Sequence, residues 1–269
     1  MYSGTIIHKK SGRVMGAHQR IDRVARRHLV RQLPAHALFP SIRDILHFEG
    51  LNGPDGIKRK SPGRDEPWHH INPTDPNDTG LIELLHNHRH NLVAALRAGD
   101  ETRAAFEAAW LAHALVDGLT PAHHYPLGEK IEELWGKPHE ERLSVREKMI
   151  IRGSTRRDTV QKNWQYWGAK GVWSTHFMFE WGVASAIVTM RFDEYAPSLD
   201  WLEENRTKGL EAVFQDALEA VAALDMYHTF WTSGWNATLA RQTRRTLIPL
   251  IINLVTFAWY DAYSEAAGL

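Results

Sequence analysis

DETRAAFEAAWLAHALVDG, residues 100–118, decides the fold class. From Ala104 to Val116 the stretch is apolar almost all the way round at helical spacing, which predicts a helix buried over most of its circumference. Asp100 stands where an N-cap belongs, and Gly118 stops the run. Two polar side chains interrupt it: His113 and Asp117 are four residues apart and project from one face. A buried carboxylate costs several kcal/mol unless it is paired or holds a metal, and this face offers no cationic neighbour. A metal is therefore the expected partner.

The same i, i+4 pairing recurs in WSTHFMFEWGVASAIV, residues 173–188, where His176 and Glu180 lie among Phe177, Phe179 and Trp181. His123 follows Asp117 by six residues. In GRDEPWHHINPTDP, residues 63–76, His69 and His70 sit on a loop bounded by Pro67 and Pro73. NGPDG places Asp55 in a glycine turn, and MGAHQRID places His18 at the start of the first long helix. These His and carboxylate groups are too many for one tetrahedral zinc and suit a site of two or three ions.

Outward from these motifs, helical periodicity dominates and strand-like alternation is nearly absent, so the expectation is an all-α, compact multi-helix domain with the metal cluster between buried helices. Ile21, Val24, Ala25, His28 and Leu29 mark one face of a helix between Gly16 and Leu33. A short helix is expected from Ser41 to His47, others over 79–98 and 100–117, and more at 128–135, 142–152, 157–167, 175–191, 199–233 (interrupted) and 236–263. Residues 49–78 read as an ordered loop, because glycine and proline break any period. No linker divides the chain, so 1–269 is read as one domain. The charged, broken segment 127–172 is read as an inserted lid.

Composition agrees with a globular chain. Apolar residues make up 43% and charged residues 24%, and basic and acidic side chains balance at 32 each, so summed charge predicts no polyanionic partner. Residues 1–32 are locally basic, with Lys9, Lys10, Arg13, Arg20, Arg23, Arg26, Arg27 and Arg31 against Asp22 alone. The expectation is a solvated helix face, with transient contact to a membrane surface or nucleic acid as the alternative. The chain has no cysteine, which removes thiolate ligands and leaves His and carboxylate for any zinc. No apolar segment near Met1 has the length of a secretory signal, so the expected location is cytoplasmic. LIPLIINLVTFAWY, residues 247–260, is too short to cross a bilayer, which needs about 20 residues, and reads as a buried helix rather than a transmembrane segment.

The order and spacing of His113-x3-Asp117-x5-His123, followed by His176-x3-Glu180, resemble the bacterial zinc-dependent phospholipase C family and the related fungal single-strand-specific nucleases. The likeness runs from His18 to Glu180 and, less distinctly, into LVTFAWYDAY near the C-terminus. It implies an all-helical hydrolase of phosphodiester bonds that carries up to three zinc ions. Carried over, it implies Asp55, His69, His113 and Asp117 on one zinc, and His123, His176 and Glu180 on a second. His18 and a bridging Asp117 would hold the third. His69 is taken over His70 because the family's ligand follows the loop's apolar residue. Asp65 on the same loop is the alternative to Asp55 as a ligand, and Asp55 would also orient or deprotonate the attacking water. The implied substrate is a phospholipid or another phosphodiester, with single-stranded nucleic acid as the alternative and Trp68 or Trp173 as stacking surfaces.

The chain departs from the family in two ways. Relatives, which are usually secreted, complete the third zinc with the amine and carbonyl of an N-terminal Trp, whereas this chain reads MYSGT and has no Trp before Trp68. Its interval between His123 and His176 is also longer. HNHRH, residues 86–90, offers only His86 and His90 on one helix face. It is read as solvated or supporting, as are His70 and His124.

Overall fold

The computed structural model describes residues 1–4, 16–62, 69–138 and 141–269. From Ala17 these residues run as α1 (Ala17–Gln32), α2 (Ile42–His47), α3 (Pro54–Lys60), α4 (Gly80–Ala98) and α5 (Glu101–Gly118). Next come α6 (Leu127–Trp135), α7 (Val145–Met149), α8 (Arg156–Trp167), α9 (Val172–Ile187) and α10 (Leu199–Lys208). The chain finishes with α11 (Leu210–Ala222), α12 (Met226–Ser233), α13 (Ala237–Gln242) and α14 (Ile248–Ala267). There is no strand among the described residues, so the fold is all-α.

α4 and α5 form a helical hairpin across a turn that needs only Gly99 and Asp100. Gly99 adopts φ 67°, a left-handed conformation that costs glycine little. The Asp100 carboxylate accepts from the Arg103 amide at 2.9 Å and starts α5. α14 packs on α1, α4 and α5, and Trp259 donates its indole N–H to the Ala108 carbonyl at 2.9 Å, which fixes α14 against the middle of α5. Leu111, Leu115, Val116, Ile251, Val255 and Phe257 between these helices are completely buried. At roughly 1.5–3 kcal/mol for each large apolar side chain, this contact dominates the stability of the framework. Ala237–Ala267 is long and apolar enough to span a bilayer by composition, but its most apolar window is 78% buried inside the fold. A core helix passes the same test.

The sequence expectation for residues 49–78 needs correction, because α3 lies within them. Pro54 occupies the first helical turn, where its missing N–H costs nothing. Gly56 permits a close approach, since a Cβ there would stand 2.1 Å from the Leu51 carbonyl oxygen. These two residues look like helix breakers in sequence; here one starts a helix and the other lets it pack. Residue 65 and Trp68 lie outside the described residues, as do Lys9, Lys10 and Arg13.

The arginines of α1 mostly contact the protein itself. Arg26 donates to the Pro40 and Phe39 carbonyls at 2.8 and 3.2 Å, Arg20 to the Met190 carbonyl, and Arg27 pairs with Asp193 at 3.1 Å. Within 127–172, α6 packs on α9 and α8 packs on both.

Candidate metal centre

Six parts of the fold deliver side chains to one buried point. α5 brings His113 and Asp117, α1 brings His18, α3 brings Asp55, and α9 brings His176 and Glu180. The short 3-10 turn Pro121–His124 brings His123, and the extended segment after residue 68 brings His69. The last two are tied together: Ile71 donates its amide to the His123 carbonyl at 3.2 Å, and His123 donates Nδ1–H to the His69 carbonyl at 2.9 Å.

Asp117 is the hub. Its Oδ2 lies 3.1 Å from His69 Nδ1 and 3.2 Å from His113 Nε2, while its Oδ1 lies 3.2 Å from His18 Nε2 and 3.7 Å from His123 Nε2. The two oxygens thus face two different sets of imidazoles. On the far side, Glu180 Oε1 is 3.1 Å from His123 Nε2 and 3.0 Å from His176 Nε2. Three groups have ligand atoms within 4.8 Å of one another: His18, Asp55 and His113; His69, His113 and Asp117; and His123, His176 and Glu180. All eight residues singled out from the sequence therefore converge. Asp55 stands with His18 and His113 rather than in the group that contains His69.

A further cation lies among them. The α-amino group of Met1 hydrogen-bonds Asp117 and is 3.2 Å from Glu180 Oε1, and Met1 is buried. The Lys58 ammonium, one turn after Asp55 on α3, lies 3.8 Å from Asp55 and 3.7 Å from Asp117. Neither group was singled out from the sequence, because nothing in local spacing announces them.

Behind the cluster lies Glu49, also absent from the sequence reading. It is buried, accepts from the Gly50 amide at 3.0 Å, and places Oε1 2.8 Å from His113 Nδ1. This orients the ring so that Nε2 faces inward, the arrangement by which carboxylates support metal-binding histidines. Asp22 is buried nearby; burial and the Glu49 charge push its carboxyl well above the ordinary range.

Charge is balanced internally. Burial alone would raise the Asp117 and Glu180 carboxyls. Instead Asp117 is held well below the usual range by His123, the Met1 ammonium, His113 and His18, and Glu180 by the Met1 ammonium, His176 and His123. Burial lowers the Met1 amine, but Asp117, Glu180 and Asp55 reverse this and bring it to about 10. His113 follows the same pattern between Glu49 and Asp117 and reaches about 10. His69 and His123 are pushed down, chiefly by burial, to about 3 and about 4.

The donor set fits a metal. Both nitrogens of His18, Nε2 of His69 and of His113, and Nδ1 of His176 are buried without a hydrogen-bond partner. Leaving such atoms unsatisfied costs about 1–3 kcal/mol each, and a metal removes that cost for the nitrogens that ligate it. Four other histidines weighed in the sequence have partners of their own. His124 donates Nε2–H to the Gly118 carbonyl at 2.9 Å, and His70 stacks on His123 at 4.6 Å. His86 meets Glu211 at 2.9 Å and His88 meets buried Glu107 at 2.6 Å, both outside the cluster.

No protein-family model matches the chain, no curated protein matches it, and no solved structure matches it.

Proposed function

We propose that this chain is a zinc-dependent phosphodiesterase of the phospholipase C type. The observation that carries the reading is the Asp117 carboxylate, with one oxygen toward His69 and His113 and the other toward His18 and His123. A carboxylate placed in this way would serve as a ligand shared between the two sets. Five imidazoles and three carboxylates form a nitrogen-rich donor set, which suits zinc better than magnesium or calcium. The site would hold two or three ions.

When bound, zinc polarises phosphoryl oxygens and makes water more acidic. The protein's own contribution is positional. The Asp55 side chain is 24% exposed, against 1% for Asp117, so Asp55 stands where a water can reach it. Burial would raise its carboxyl, but His113 and Lys58 hold it below the usual range. It is ionised at neutral pH and acts by accepting a hydrogen bond that aims the water, rather than by storing its proton. Lys58 beside it offers a positive charge to a phosphoryl oxygen as negative charge develops.

Trp173, one of the two stacking surfaces weighed for a nuclease, is already engaged by aromatic neighbours. Its ring is packed between Trp167, at 4.6 Å, and Phe177, stacked at 5.2 Å. The test is hydrolysis of bis-p-nitrophenyl phosphate and of a phosphatidylcholine vesicle by zinc-loaded protein. Turnover that EDTA abolishes and zinc restores is the expected result. Stoichiometric zinc without cleavage of either would reduce the protein to one that metal merely stabilises.

A further inference from the structure

Six of the twelve large apolar side chains exposed among the described residues fall between positions 143 and 164: Leu143, Val145, Met149, Ile150, Val160 and Trp164. Trp164 is 71% exposed and Val160 70%. Exposed apolar residues scattered singly are ordinary, but a concentration of this kind marks a contact surface.

The local structure holds these residues together. On α8, Arg156, Val160 and Trp164 recur every four residues with Arg157 beside them, so they share one face. At the edge of that face Asn163 exchanges hydrogen bonds with the Ile151 backbone at 3.2 and 2.7 Å, and Tyr166, turned away from it, is buried. Trp167 donates to the Met149 carbonyl at 2.8 Å. The end of α7, with Met149 and Ile150, therefore lies against α8.

Charge identifies the occupant. Residues 142–170 contain eight basic and two acidic side chains. Arg146, Arg152, Arg156 and Arg157 are exposed and form no ion pair among the described residues. Aliphatic side chains projecting among unpaired arginines match the two layers of an anionic bilayer, with acyl chains for the former and phosphates for the latter. A single-stranded nucleic acid would use the arginines and stacked aromatics, but would gain nothing from Leu143, Val145, Met149, Ile150 and Val160.

The surface also adjoins the metal centre. Lys148 of α7 donates to the Lys58 carbonyl and, at 2.9 Å, to that of Ser61, which ties α7 to the helix that carries Asp55. α8 is tied to the helix of His176 and Glu180 through Trp167, Trp173 and Phe177. Asp55, His176 and Glu180, at 24%, 12% and 11% side-chain exposure, are the most open members of the centre.

We propose that the α7–α8 segment is an interfacial seat that docks the protein on an anionic lipid surface. Delivery of lipid head groups to the neighbouring centre rests on the phosphodiesterase reading; the docking itself does not.

The test is co-sedimentation of the full chain with vesicles of phosphatidylserine and phosphatidylcholine, and with phosphatidylcholine alone, each with and without EDTA. The protein should pellet with the anionic vesicles in both conditions and much more weakly with the neutral ones. Val160→Ser with Trp164→Ser should release it, and Arg156→Gln with Arg157→Gln should weaken it roughly thirty-fold at low salt, at the scale known for polybasic segments. Both double variants should keep wild-type turnover of bis-p-nitrophenyl phosphate and a wild-type melting temperature. Vesicle binding that persists in a protein without phosphodiesterase activity would uphold the seat while sinking the catalytic reading. Equal binding by wild type and both variants would overturn the proposal, as would retention on a single-stranded oligonucleotide with no vesicle binding.

Discussion

Glu49 Oε1 stands 2.8 Å from His113 Nδ1, and this contact fixes which nitrogen of His113 faces the cluster. Because the inward Nε2 is 3.2 Å from Asp117 and 3.8 Å from Asp55, the support from Glu49 reaches two of the three donor groups. Glu49→Gln retains the shape but loses the negative charge. It should lower zinc affinity about 10- to 100-fold, the range for such supporting carboxylates. Competition against a chromophoric chelator measures this, and an unchanged affinity would show that His113 is oriented without Glu49.

Metal-free protein should be most stable near pH 6.5. His69 and His123 have folded pKa values of about 3 and about 4, below the unfolded 6.5. Their contribution is complete above 6.5 and is lost as pH falls through those values. His113 and the Met1 amine, both raised to about 10 from 6.5 and 8.0, contribute fully below those unfolded values and lose that contribution as pH rises through 10. Urea midpoints in EDTA should fall on both sides of the maximum. Saturating zinc should flatten the alkaline side, because ligands must shed their protons to bind metal. A midpoint in EDTA that stays level from pH 6.5 to 9 would contradict this charge assignment.

Lys58 competes with metal for the same carboxylates, at 3.8 Å from Asp55 and 3.7 Å from Asp117. Lys58→Met should tighten zinc binding, by on the order of ten-fold for one removed neighbouring charge, and lower turnover through loss of its positive charge. Weaker zinc binding in this variant would mean that Lys58 orders the site rather than opposing the metal.

Gly182, two residues beyond Glu180 on α9, packs under Trp235. A Cβ at this position would meet the indole ring at 2.3 Å, and a ring cannot yield as the end of a flexible chain does. Gly182→Ala should cost about 1–3 kcal/mol of stability as overpacking, seen as a lower urea midpoint with zinc present or absent. A neutral effect would mean that α9 shifts freely, and with it Glu180.

Much of the framework was legible in the sequence because its helices are amphipathic or wholly apolar with clear boundaries, as with Asp100 before α5 and Gly118 as its last residue. α3 was not, because Pro54 and Gly56 carry opposite meanings at a helix start and inside a helix. The site residues were legible where two donors lie one turn apart on an apolar helix, as at His113 and Asp117 or His176 and Glu180. Glu49 is a lone acid in HFEGLNG, residues 47–53, and the Met1 amine has no pattern at all; only tertiary packing brings either to the cluster. Asp55 was legible as an acid in a glycine turn and drew its role from the resemblance, while its helical setting and its neighbour Lys58 came from the structure.

The most direct test of the central claim is the metal content of protein purified without added metal, by elemental mass spectrometry, for the native chain and for Asp117→Asn. Asp117 offers an oxygen to each of two imidazole groups, so its loss should affect more than one ion. The account predicts two or three zinc per chain in the native protein, with both the zinc and phosphodiester hydrolysis lost in the variant. A native chain without bound metal, or a variant with full zinc and full activity, would contradict it.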